Sequence, residues 1–178
     1  MAHNEMLEVA GKENFPRIYE IMSSSFPPSE MRNYDGQLSQ FDNHHYKVLI
    51  KKINGVIIGF LAVWEFDDVD FIEHFAVDSN YRGNGIGEKM LNEYLEQATK
   101  AVFLEVEPPT DDISIHRIEF YERLGFHLNM FNYHQPALQK GQKAIPLKIM
   151  TYPMAVEENF FMHHKKIVHE VAYSANYD

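Results

Sequence analysis

"FAVDSNYRGNGIGEKML", residues 75–91, passes from a β-prone run through Gly83, Gly85 and Gly87 into a helical pattern. Bare backbone is a poor way to begin a helix, because an interior glycine costs about 1 kcal/mol relative to alanine. It is a good way to hold an anion. Glycines let successive N–H groups point into one concavity, and the first turn of a helix adds partial positive charge. Two phosphate-binding patterns fail here. A G-x-x-x-x-G-K-[ST] loop counted from Gly83 needs its second glycine at Glu88, and Met90 follows Lys89. A G-x-G-x-x-G dinucleotide turn accepts Gly83 and Gly85 but meets Glu88 in the third place. Glu105 and Glu107 fall where the ribose-binding acid of such a turn would lie, yet the spacing from Val77 to Arg82 and the hairpin before the strand do not belong to that motif. The pattern left standing is R-x-x-G-x-G, at Arg82, Gly85 and Gly87. Its alternative is a glycine turn that serves packing alone.

The rest of the chain alternates strand and helix signals around this stretch. "MLEVA" (residues 6–10) reads as a short first strand, and Phe15, Ile18, Tyr19 and Met22 form one helical stripe. Two prolines follow, and Ser29 is placed to cap a second helix ahead of Glu30. Asn54-Gly55, between two apolar runs, predicts a hairpin. "VDFIEHFAV" adds a strand, and Ile86, Met90, Leu91, Tyr94, Leu95 and Ala98 line one face of the helix after the glycines. "AVFLEVEPP" is a strand stopped by Pro108 and Pro109, and "ISIHRIEFYERLGF" a helix closed at Gly125. "GFHLNMFNYH" and "AIPLKIMTYP" supply two strands before a final helix over residues 156–173. The fold class expected is α/β of the α+β kind: a mixed, largely antiparallel central sheet of about six to seven strands flanked by helices, with an extra C-terminal helix.

Composition narrows the chemistry. The apolar fraction of 45%, with 13 Phe, 10 Tyr and 9 Met, suffices for a packed core. With no cysteine there is no disulfide, thiolate nucleophile or cysteine metal site, which fits a reducing cytoplasm. The opening residues lack a basic segment followed by an apolar one, so no secretory signal is expected. No apolar run approaches the ~18 residues that span a bilayer, so no membrane partner is expected. A formal charge of −10 argues against nucleic-acid binding and suits a cationic small molecule.

R-x-x-G-x-G between strand and helix, followed about 35 residues later by "EFYERLGF" (residues 119–126), resembles the GNAT superfamily of acyl-CoA N-acyltransferases. "FIEHFAVDSNYRGNGIGEKML" is further similar to the matching segment of diamine (spermidine/spermine) N-acetyltransferases. The resemblance covers residues 46 to 153 and implies one domain over 1–178. In it residues 1–45 carry the first strand and acceptor-side helices, 46–153 the acetyl-CoA-binding core and 154–178 the C-terminal helix. It implies that the coenzyme pyrophosphate binds at Arg82, Gly83, Asn84, Gly85, Ile86, Gly87 and Glu88, and the pantetheine along the backbone of Phe75, Ala76 and Val77. Many relatives carry an asparagine seven residues before the tyrosine, on the pantetheine; this chain has Ser114.

Acetyl transfer to a primary amine needs a base, since an ammonium has a pKa near 10.4, and a proton for the departing thiolate. The resemblance gives the base role to Glu73, which regular alternation sets on one strand face with Phe75 and Val77, leaving His74 opposite. Glu105 is the rival base. Tyr121 matches the family's general acid, and its structural alternative is packing with Ile118 and Leu124. Trp64, Phe26 and Tyr34 are candidate walls of an amine pocket, and Glu65, Asp67, Asp68 and Asp70 could steer a polycation. His163, His164, His169 and the pair His44–His45 lack metal-ligand spacing, so no metal is expected. Phe160, Ile167 and Val171 give the last helix a stripe for docking on the domain or on a second copy as a homodimer. The expected function is direct acetyl transfer from acetyl-CoA to a small cationic amine or polyamine. The alternatives are a protein N-terminus or lysine as acceptor, and a non-catalytic acyl-CoA sensor.

Overall fold

Asn54 and Gly55 both adopt positive φ, 52° and 77°, in the computed structural model, which describes residues 5–173. Two left-handed residues in a two-residue loop twist the chain as a right-twisted hairpin requires. They join β2 (Tyr46–Ile53) to β3 (Val56–Glu65), and β3 pairs on its other side with β4 (Val69–Val77). Before this meander come β1 (Glu8–Val9), α1 (Phe15–Ser25) and α2 (Tyr34–Ser39). After it come α3 (Ile86–Gln97), β5 (Ala101–Val106), α4 (Asp112–Arg123), β6 (His127–Gln135), β7 (Ile145–Tyr152) and α5 (Glu158–Val168), ending in a π-helical turn, His169–Tyr173. Among the described residues the sheet has seven strands in the order β1-β2-β3-β4-β5-β7-β6, and β4–β5 is its parallel pair. The mixed, largely antiparallel sheet read from the sequence is therefore the observed one. Residues 1–4 and 174–178, the two ends of the expected domain, lie outside the described residues.

Residues 57–64 of β3 carry no polar side chain on either sheet face because both faces are covered. Phe60, Ala62 and Trp64 face one core with Ile18, Ile21 and Met22 of α1 and with Phe161 and Val168 of α5. Leu61 and Val63 face the other with Leu91 and Leu95 of α3 and Ile118 of α4. Burying each such side chain is worth about 1.5–3 kcal/mol, so the central hairpin anchors both layers.

Two expectations are corrected. Ser29 caps nothing, because Pro28–Glu30 is a single 3-10 turn that contains it; α2 starts later, where Asn33 Oδ1 accepts the Gly36 N–H at 2.8 Å. The face that α5 and its last turn lay on the domain is Phe161, His164 and Val168, continued by Ala172 and Tyr173, with Val171 of the expected stripe partly buried against the same core. Phe160 and Ile167 are 42% and 40% exposed, since α5 is rotated so that Phe161 packs on Phe103, Phe131 and Tyr133.

Candidate active site

β4 and β5 run side by side only from the pair Val69–Ala101 to the pair Ile72–Leu104. Beyond that point the strands part, and the gap opens a cleft of about 670 Å³. The cleft edge of β4 at residues 75–77 has no strand partner on that side among the described residues, leaving backbone donors and acceptors for an extended ligand.

A β-bulge shapes the same strand. The ladder to β3 passes from Ala62–His74 to Val63–Ile72 and skips Glu73. One extra residue reverses the alternation behind it. Glu73 and His74 therefore both turn toward the α1 and α5 layer, while Phe75 packs in the opposite core. The expected grouping of Glu73 with Phe75, and of His74 on the other face, is corrected on this ground.

The glycine loop after β4 answers to two demands. Gly83 and Gly85 have φ of +84° and +73° with open space around them. That is left-handed backbone, which a side chain would strain. A Cβ on Gly87 would lie 3.1 Å from Phe75 Cζ, so its bareness lets α3 approach β4. Gly85 is also the N-cap of α3, and its carbonyl takes the Lys89 N–H at 3.1 Å. The N–H groups of Ile86, Gly87 and Glu88 precede Lys89, the first intrahelical donor, and receive no side-chain cap. At α2 and α4 the equivalent donors are capped by Asn33 and Asp111. A helix start with spare donors beside the cleft fits a phosphate.

The other expected ligand contacts divide. Phe75, Ala76, Val77, Arg82, Gly83, Gly85, Ile86, Gly87, Glu88 and Tyr121 border the cleft. Arg82 braces the loop, donating from Nε to the Val77 carbonyl at 2.9 Å and from Nη2 to Ser25 Oγ at 3.0 Å. Asn84 points back to the Tyr81 carbonyl and lies outside the lining. Ser114 is 2% exposed; its Oγ accepts the Asp111 N–H at 3.1 Å as part of the α4 capping box, so it too stands apart from the cleft. Tyr121 packs edge-on against Phe120 and Phe126, and its hydroxyl has no hydrogen-bond partner among the described residues. Burial pushes its pKa up to about 12, so it is a neutral phenol at neutral pH.

The two candidate bases differ sharply. The Glu73 side chain is 2% exposed, accepts Trp64 Nε1 at 2.9 Å and pairs with Arg32 Nη1 at 3.0 Å. Burial alone would raise its pKa, but the Arg32 guanidinium, His74 and the two donors hold it below the usual carboxylate range. Glu105 has no cation against it. Burial pushes its pKa up to about 7, opposed by hydrogen bonds from Tyr133 and Tyr173. Oε1 accepts the Tyr173 hydroxyl at 2.6 Å, while Oε2 is buried without a partner. Glu30 and Glu107 border the same cleft, and burial together with Glu107 raises the pKa of Glu30.

Of the expected amine-pocket walls, Phe26 borders the cleft, Trp64 is wholly inside the core, and Tyr34 packs on Phe15 and Tyr19 at the surface. The acidic turn after β3 lies at the end of β4 remote from the glycine loop, and Asp70 is bonded to Tyr94 and Lys100. Among the described residues no three His, Cys, Asp or Glu side chains gather as a metal site, and no helix is long and apolar enough to cross a membrane. Arg32, Tyr133 and Tyr173 are the residues sequence reading missed. Each meets its partner 36 or more positions away, so no local pattern announces them.

Residues 15–126 match the acetyltransferase (GNAT) family. YjbC of Bacillus subtilis (strain 168), assigned as an acetyltransferase, is 29% identical over 133 residues, which span 70% of this chain and 64% of YjbC. The spermine/spermidine N(1)-acetyltransferase of the same strain is 27% identical over 99 residues, 48% of this chain and 62% of that protein. The match thus spans less than two thirds of the length of these curated relatives. A solved structure of a GNAT-family protein from Bacteroides thetaiotaomicron superposes with a TM-score of 0.88 at 26% identity, covering 95% of this chain and 98% of that one.

Proposed function

The chain belongs to the acetyltransferase (GNAT) family, and from that premise we propose that it transfers an acetyl group from acetyl-CoA to a small cationic amine, with a polyamine as the favoured class. The observation that carries the proposal is Glu105: a buried carboxyl with pKa about 7 and an unpartnered Oε2, at the point where β4 and β5 part. A group of that pKa is poised to take a proton near neutral pH.

The residues then divide the work. The N–H groups of Ile86, Gly87 and Glu88, with Gly83 and Gly85 clear of side chains, hold the pyrophosphate. The β4 backbone at residues 75–77 pairs with the pantetheine. Bound there, acetyl-CoA supplies the acyl group as a thioester. Glu105 Oε2 takes a proton from the acceptor ammonium, freeing the lone pair that forms the new C–N bond. Tyr121 donates a hydrogen bond to the sulfur as the C–S bond breaks. With its pKa at about 12, full proton transfer to a thiolate of pKa about 8.5 would run uphill by on the order of 5 kcal/mol. Tyr121 therefore acts as a neutral donor, and the second proton, shed by the acylated nitrogen as the C–S bond breaks, reaches the thiolate through solvent.

Glu73 works as the carboxylate that keeps Arg32 in place. Its two oxygens are engaged and its pKa is low, so it gives up little by staying charged. Carboxylates at Glu30, Glu105 and Glu107 favour a substrate with more than one positive charge, as does a net charge of −10. The likeness to a spermine/spermidine acetyltransferase supports the same class. The proposed setting is the cytoplasm.

Thiol release from acetyl-CoA tests this with a panel of monoamines, diamines, polyamines, a peptide with a free N-terminus and a peptide lysine. Turnover with kcat/KM highest for the di- and polyamines is the expected result. Preference for either peptide would move the acceptor to protein, and coenzyme binding without turnover on any amine would make the chain a sensor.

A further inference from the structure

The described chain ends by reaching under the cleft. After α5 the π-helical turn His169–Tyr173 carries Tyr173 to 2% exposure, and its hydroxyl meets Glu105 Oε1 at 2.6 Å. In the same turn the Ala172 carbonyl accepts Arg32 Nη2, the guanidinium that holds Glu73. Tyr133 of β6 stands near Glu105 as well, with its hydroxyl 3.0 Å from His169 Nε2. One oxygen of Glu105 is thereby claimed from below while the other is left without a partner.

We propose that the turn is a positioning element for the acceptor side of the site: Tyr173 fixes Oε1 of Glu105 and so presents Oε2 to the amine. Its catalytic meaning rests on the acetyl-transfer reading above; the clamp itself does not. The groups that face Glu105 are Tyr173 from the turn, Tyr133 from β6, Glu73 from β4 and Glu30 from the 3-10 turn. Behind them stand His169 and Lys165, which reach it through Tyr133, and Arg32, which reaches it through Glu73. The phenols stabilise the carboxylate form, whereas Glu73, Glu30 and burial oppose it. Removing the Tyr173 hydroxyl therefore drives Glu105 further toward the protonated form.

The experiment compares the full chain with Tyr173→Phe, which keeps the ring against Phe71. The Glu105 side-chain carboxyl is followed by 13C NMR across pH, assigned by its loss in Glu105→Gln, alongside the pH profile of kcat/KM. The expected result is a titration midpoint raised by about one unit. The acidic limb of kcat/KM moves with it, about tenfold at pH 6.5, and the KM for acetyl-CoA stays within about twofold. Replacing Tyr173 by 3-fluorotyrosine, a stronger donor of the same shape, moves the midpoint the other way. An unmoved midpoint in both variants would overturn the clamp, as would a rate loss equal at every pH. If no amine is turned over, the NMR midpoint alone decides the clamp, and only the transfer reading falls.

Discussion

Glu73 and Glu105 are the same residue type on neighbouring strands, and their surroundings drive them apart. Arg32 and Trp64 give Glu73 three hydrogen bonds, so it is held as a carboxylate. A folded-state pKa below the unfolded one stabilises above the unfolded value and is lost as pH falls through the folded one. Glu73→Gln takes from the buried Arg32 guanidinium the carboxylate it pairs with, at a cost of about 3–5 kcal/mol. The expected result is a large drop in Tm at pH 7, with the wild-type advantage shrinking as the pH is taken below about 4. Glu105 has the opposite sign. Its raised folded pKa means that ionising it opposes folding, so stability present below the unfolded pKa is lost as pH rises toward about 7. Glu105→Gln should therefore lower kcat by about 10²–10⁴ and raise stability at pH 8 by on the order of 3 kcal/mol, with little gain at pH 4. Thermal melts at both pH values check this, and a variant less stable than wild type at pH 8 would remove the strain from Glu105.

At the scale of elements, the bulge in β4 and the glycine turn before α3 build the two halves of the cleft. The bulge sends Glu73 and His74 inward and keeps Phe75 in the other core. The turn supplies uncapped donors at the start of α3. Gly85→Val puts a β-branched side chain at φ +73°, which costs about 1–2 kcal/mol or more and crowds the donors. Coenzyme A affinity, measured by calorimetry on the folded variant, is expected to fall by at least about tenfold. Affinity at the wild-type level would take the phosphate away from this loop. The α4 capping box shows the contrary case. Its Ser114 stands in the place read as a pantetheine contact and is occupied by Asp111 instead, because a serine three residues into a helix after an aspartate satisfies the helix start before any ligand does.

For the whole molecule, a net charge of −10 and carboxylates around the acceptor end imply long-range attraction of cations. Raising ionic strength from about 0.02 to 0.2 M shortens the screening length from about 20 to 7 Å. The value of kcat/KM for a polyamine is then expected to fall several-fold, and that for a monoamine less. Equal salt dependence for both would mean that the cleft reads one charge only. The order of elements, the hairpin at Asn54-Gly55, the glycine loop and the place of Tyr121 were legible in the sequence, because each is a local pattern whose period or turn chemistry acts over a few residues. What only the tertiary structure decided is what each glutamate meets. A β-bulge depends on how two strands register. The Arg32–Glu73 pair and the Tyr173–Glu105 bond span 41 and 68 residues, distances at which packing, and no sequence period, chooses the partner.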